Sequence, residues 1–132
     1  MTALTRDRHT PLKKAEAIAV PVGAGAVIHA GALVVANASG FAVPGSTATG
    51  LTYIGRAEAS VDNTDGANGA AAVQVRRLAA FKWANDGSIV QANLMQTAYI
   101  VDDQTLAATD GTGTRSAAGK IVGIDTDGVW IE

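Results

Sequence analysis

From residue 17 onward the chain is a succession of short apolar runs separated by glycine, Asn, Asp, Ser and Thr, with 15 glycines in 132 residues. Runs this short and this densely punctuated predict strands joined by turns. Ile18, Val20 and Val22 open the series, and Gly23 and Gly25 end that run. Val27–His29 and Leu33–Val35 read as two arms of a tight hairpin about Ala30 and Gly31. Between Leu51 and Val61 the period is two: Leu51, Tyr53, Ala57 and Val61 face one way, and Thr52, Arg56, Glu58 and Ser60 the other. Ile54, next to Gly55, is the exception on the polar side, which suits either a subunit contact, or a strand bend or burial under a loop.

The polar stretch 61–70, VDNTDGANGA, predicts a loop, because Asp-Gly and Asn-Gly favour turns. The strand after it is the longest expected, with Val73, Val75, Ala79, Phe81 and Trp83 on one face and Gln74, Arg76, Ala80 and Lys82 on the other. Arg77 falls on the apolar face and needs a partner if buried. Asn85-Asp86-Gly87 ends the strand, and Ser88 is placed to cap a short helical turn through Ile89, Leu94 and Met95. Strands follow at Thr97–Val101, Thr105–Thr109 and Lys120–Asp125. A turn at Asp127-Gly128 then leads to Val129–Ile131 as a closing hairpin. The fold class expected is all-β, a compact barrel-like or sandwich domain over residues 17–132 with one short helical turn.

Residues 1–16 show neither period, and Pro11 interrupts them, so they predict a flexible arm. The arm carries Arg6, Arg8, Lys13 and Lys14 against Asp7 and Glu16, a net of +2, which leaves −4 on the body of a chain whose total is −2. Nucleic-acid binding needs a basic face, and only the arm has that sign. A chain of this length buries roughly two thirds of its unfolded surface. Hydrophobic residues are 48%, but alanine inflates the share and only six residues are aromatic, so a thin aliphatic core is expected. The polar start and the lack of any long apolar run predict a soluble protein made in the cytoplasm, with no membrane partner.

Catalytic candidates are few. The absence of cysteine removes disulfides, thiolate metal sites and thiol nucleophiles. His9 lies in the arm, and His29 in an apolar stretch that suits a core or hairpin role. No serine sits in a Gly-x-Ser-x-Gly elbow. Gly113–Lys120, GTRSAAGK, departs from a phosphate loop: five residues separate its glycines, and Ile121 replaces the magnesium-binding hydroxyl. Asp62, Asp65, Asp102, Asp103, Asp125 and Asp127 lack calcium-loop spacing and suit tight turns. No enzyme, metal or cofactor is expected.

The stretch TYIGRAEASV running into VDNTDGANGAAAVQVRRLAAFKW, then YIVDDQT at 99–105 and GKIVGIDTDGVWIE at 119–132, resembles a family of small tailed-phage and prophage capsid proteins, the head decoration or cement proteins. The likeness covers about residues 17–132, and the order of its motifs gives it weight. It implies a β-barrel-like subunit that binds the outer surface of the major capsid protein lattice and stabilises the phage head, with a homotrimer favoured over a dimer. It implies no catalytic residue. Arg6, Arg8, Lys13 and Lys14 are then the candidate capsid-binding arm, and Ile54, Arg76, Arg77 and Trp130 the candidate subunit interface. A phage tail, baseplate or adhesin module, or a carbohydrate-binding β-domain, is the alternative.

Overall fold

Alternating apolar residues and turn formers resolve into twelve short strands in a computed structural model, which describes residues 2–132. In chain order they are β1 (Ala17–Pro21), β2 (Val27–Ile28), β3 (Leu33–Ala36), β4 (Ala42–Pro44), β5 (Thr52–Ala57), β6 (Val61–Asp62), β7 (Ala72–Arg76), β8 (Phe81–Asn85), β9 (Thr97–Ile100), β10 (Thr105–Ala107), β11 (Ala117–Asp125) and β12 (Gly128–Ile131). One 3-10 turn, Gln91–Asn93, is the only helical element among the described residues. The protein is all-β.

The strands form two lobes. In the first, an antiparallel sheet runs β1-β7-β5-β3-β4. It curls until Val22, just beyond β1, bridges Ala42 of β4, with the Gly23 N–H donating to the Ala42 carbonyl at 2.9 Å. The curl encloses Val20, Val22, Ile28, Val34, Val73 and Val75, and the small β2-β6 ribbon packs beside it. In the second lobe β10-β8-β12-β11-β9 close into a barrel around Phe81, Trp83, Ile100, Leu106, Ile121, Val129 and Ile131. Its one parallel pair is β8 with β10.

Strand β3 joins the lobes. Leu33 and Val35 pack in the barrel core, Val34 packs in the other, and all three are fully buried. A strand buried on both faces reads as a continuous apolar run rather than an alternation.

A β-bulge on β5 performs the matching switch. Val35 pairs with Tyr53 but Val34 pairs with Gly55, so Ile54 is the extra residue and the facing reverses beyond it. Tyr53 therefore packs toward the barrel core while Ile54 and Ala57 pack toward the other. The expectation that Tyr53 and Ala57 share a face is corrected by that bulge. Gly55 permits it, because a Cβ there would lie 2.0 Å from the Arg76 carbonyl oxygen.

Three further expectations change. Val27–His29 does not pair with Leu33–Val35; β2 pairs with β6, and β3 lies between β4 and β5. The single long strand through Phe81 is two, because residues 77–80 carry the chain from the first sheet into the barrel. Leu78, at φ +59, makes that turn. The longest strand is instead β11. The 3-10 turn exists, but its N-cap residue is Val90, whose N–H donates to Asn93 Oδ1 at 2.8 Å, while the Ser88 hydroxyl accepts from the Ala108 N–H. The closing hairpin of β11 and β12 is as expected.

Two buried side chains tie loops to this frame. Asn63 Nδ2 donates to the carbonyls of Gly23 (2.9 Å) and Ala67 (3.1 Å) under the first lobe. Ser116 Oγ donates to the Ala48 carbonyl (2.7 Å) and accepts from the Leu51 N–H (3.0 Å), clamping the segment before β5 to the barrel.

Candidate functional site

The arm, the seam between the lobes and one exposed turn carry the features that packing leaves unexplained. Residues 2–16 contain no helix or strand, and all but Ala15 are exposed. Met1, the first residue of the expected arm, lies outside the described residues. Arg6, Arg8, Lys13 and Lys14 project from this segment, and none of their side chains enters an ion pair among the described residues. Leu12, beside the two lysines, is 96% exposed.

Arg77 fixes the root of the arm. Its backbone N–H donates to the Glu16 carbonyl at 2.8 Å, and its Nη1 to the Ala15 carbonyl at 3.3 Å. The side chain is half-buried and has these partners, so the arginine that alternation placed on an apolar face in fact ends the strand and anchors the N-terminal segment.

Arg77 also lines a cleft of about 460 Å³ at the seam, with Tyr53, Ile54, Leu78, Ala79, Phe81 and Glu132. The crossover between β7 and β8 forms one wall. Leu78 on that wall is 68% exposed in a left-handed conformation, which costs a non-glycine residue roughly 1–2 kcal/mol. Burial raises the pKa of Tyr53, and the neighbouring Trp83 indole N–H partly opposes the rise. Neither polar atom completes an aligned hydrogen bond, and both are shut away from water. These contacts make the cleft a shaped, mainly apolar surface with Arg77 and Glu132 at its edge.

Above the seam, Arg56 and Arg76 stand opposite one another on β5 and β7. Glu58 bridges them, 2.6 Å from Arg56 and 3.7 Å from Arg76. The Arg56 hydrogen bond and the positive charges lower the Glu58 pKa. Like charges directly opposite disfavour a sheet, so the glutamate offsets a local repulsion. The Arg56 guanidinium also lies 4.9 Å from the Phe81 ring centre, linking the lobes across the seam. Ile54 and Arg77 thus both line the cleft, whereas Arg76 pairs with Glu58 and is not part of its lining.

Trp130 lies elsewhere, on the outside of the barrel hairpin. Its indole donates to Asp125 Oδ2 at 2.8 Å, and Lys82 Nζ lies 5.8 Å from the ring centre. Lys82 also bonds both Asp127 carboxylate oxygens at 3.0 Å, which lowers the Asp127 pKa. The second tryptophan, Trp83, is buried.

The remaining polar candidates do local work. His29 is exposed at the turn after β2, where its carbonyl accepts from Ala32, so neither a core position nor a β2-β3 hairpin describes it. Asp62, Asp86 and Asp102 each accept the backbone N–H two residues on, at 2.9 Å, as turn-forming aspartates do. A hydrogen bond from the Thr64 hydroxyl lowers the Asp62 pKa. No three His, Asp or Glu side chains converge on one point among the described residues. No helix among them is long and apolar enough to cross a membrane.

Sequence reasoning missed the seam cleft and an exposed apolar cluster at the 3-10 turn, Val90, Leu94 and Met95. The cleft arises where two distant strands meet and leaves no local signal beyond Gly55. The cluster is visible in the string IVQANLMQ, whose apolar residues fit neither a two-residue nor a helical period. The chain matches no family model, no curated protein and no solved structure.

Proposed function

We propose that this protein is a non-enzymatic decoration subunit of a tailed-phage head. It binds the outer surface of the major capsid protein lattice and reinforces the shell, with itself as the second partner, a homotrimer ahead of a dimer. The observation that carries the reading is the arm: an exposed basic segment that also bears the exposed Leu12, rooted on the body by Arg77 and by β1. Such a segment gains its contacts only on a partner, where ordering it must be offset by the bonds it forms.

The sequence resemblance supplies the partner's class, and the arm supplies the means. Arg6, Arg8, Lys13 and Lys14 suit acidic patches on a shell, and many copies on one lattice let modest contacts add through avidity. Sugar binding draws less support, since Trp83 is buried and the Trp130 indole N–H is already held by Asp125.

The test is binding of purified protein to capsids stripped of decoration, read by co-sedimentation and by the heat resistance of the particles. Full-length protein is expected to bind and raise the temperature of genome release. A chain starting at Ala15 is expected to fold identically and bind weakly. Failure of the full chain to bind any tailed-phage capsid lattice overturns the reading. Equal binding by the shortened chain removes the arm from it.

A further inference from the structure

Exposed large apolar side chains stand singly on the body except at one place. Val90, Leu94 and Met95 are 55%, 40% and 56% exposed within six residues, around the 3-10 turn at one end of the barrel. The turn is held firmly. Asn85 Nδ2 donates to the Ile89 carbonyl and Asn93 Oδ1 accepts from Val90, both at 2.8 Å. The Met95 N–H donates to the Ile121 carbonyl at 2.8 Å, and the Ile121 N–H to the Gln96 carbonyl at 2.9 Å. Ile89 is buried beneath as an anchor. Met95 takes a left-handed backbone conformation, φ +68, to complete this arrangement. The apolar cluster is thus presented by a wired loop, in a strained conformation of the kind found at functional positions.

The surroundings of the cluster identify what it meets. Residues 87–101 carry no charge, and Gln91 and Gln96 offer amides that both donate and accept, so this surface can face a copy of itself without stranding a charge. Beside it stand one cation and one anion, both exposed: Lys120 pairs with Thr97 across β11 and β9, and its backbone is bonded in both directions to Glu132 at 3.0 Å. Neither side chain is in an ion pair among the described residues, so a second copy turned to face this surface can set Lys120 against Glu132 and Glu132 against Lys120. Depletion of charge at the centre, a methionine, and a polar rim are the composition of a protein–protein contact.

We infer that Val90, Leu94 and Met95 form the centre of the contact between two copies of this chain, with Gln91, Gln96, Lys120 and Glu132 at its rim. Specific interfaces bury roughly 1,200–2,000 Å² in total, so the three side chains are its core rather than its extent. The inference stands whether or not the shell is a capsid.

Sedimentation velocity and light scattering on the full chain test it. Wild type is expected to be oligomeric, and V90E/L94E to be monomeric with association weakened by at least about 100-fold and an unchanged circular dichroism spectrum. K120E is expected to weaken association, and K120E/E132K to restore it, which a misfolded variant does not do. A monomeric wild type overturns the inference. So does undiminished association of folded V90E/L94E, or a K120E defect that E132K leaves unrepaired. A V90E/L94E protein that stays oligomeric but loses capsid binding assigns the surface to the shell and likewise overturns it.

Discussion

Replacing Gly55 by alanine tests whether the bulge on β5 is the hinge on which the two lobes are built. A Cβ at this position would lie 2.0 Å from the Arg76 carbonyl oxygen and 3.1 Å from its carbonyl carbon. Because the obstacle is backbone, no rotamer change relieves it; β5 and β7 must separate by about 1 Å. Overpacking alone costs about 1–3 kcal/mol. Separation also weakens the ladder at Arg56–Arg76 and Ala57–Val75, where each hydrogen bond contributes about 1 kcal/mol. Restricting the unfolded chain returns about 0.4–1 kcal/mol. The net loss is about 3 kcal/mol, or roughly 10 °C in melting temperature for a domain of this size. Urea and thermal unfolding followed by circular dichroism measure it. Gly50→Ala is the control, since its Cβ meets nothing within 4 Å and only its φ of +76 opposes the change; it is expected to cost about 1 kcal/mol. If G55A unfolds within 1 kcal/mol of wild type, the close approach of β5 to β7 does not constrain the fold and the argument from the bulge fails.

Other substitutions probe single contacts. Ser116→Ala strips the Leu51 N–H and the Ala48 carbonyl of their shared hydroxyl and is expected to cost about 2 kcal/mol by urea unfolding; a neutral result means water replaces it. Tyr53→Phe is expected to be neutral or slightly stabilising at neutral pH, because its buried hydroxyl has no aligned partner. Its pKa is raised on folding, so above the ordinary value of 10.0 the unfolded chain loses that proton first and stability falls as pH rises toward the folded value. Y53F should flatten the alkaline limb of urea midpoint against pH, and an unchanged limb would exclude Tyr53 as its source. Leu78→Asn removes a left-handed leucine and is expected to gain about 0.5–1 kcal/mol by thermal melting, whereas a loss would mean the leucine packs against the seam.

The sequence made the class of fold legible because turn residues and β-branched runs are local signals. Where two strands meet is not local. Val73, Val75, Phe81 and Trp83 are all odd-numbered, so a four-residue crossover between sheets preserves the period of two and hides the break at Leu78. The bulge does the opposite: Tyr53 and Ala57 agree in parity yet face different cores, because Ile54 inserts one residue between them. Leu33–Val35 looked like a hairpin arm, and its three consecutive apolar residues were the sign of a strand between two cores, where all three are fully buried. Of the proposed site residues, Ile54 and Arg77 come together at the seam, while Arg76 pairs with Glu58 and Trp130 sits apart on the barrel hairpin. The arm was legible from charge and from the lack of any period, but its anchor at Arg77 depends on a contact across 62 residues.

Sharing β3 determines how the fold passes force from one core to the other. Each lobe comprises roughly half the chain, a size at which a lone core is marginal. The lobes therefore stabilise each other through Leu33, Val34 and Val35, and neither is expected to persist when the other opens. The arm leaves from the same seam: Arg77 grips Ala15 and Glu16, β1 pairs along β7, and β7 abuts β5 at Gly55. A pull on the arm is thus borne along hydrogen-bonded ladders that reach both cores within two strands, instead of by a terminal loop. The self-association surface proposed at the 3-10 turn lies on the barrel and reaches the seam at Glu132, whereas the arm is rooted on the curled sheet. Force applied between the two lobes therefore passes through β3, and the bulge at Ile54 and Gly55 is what allows that strand's neighbour to serve both cores.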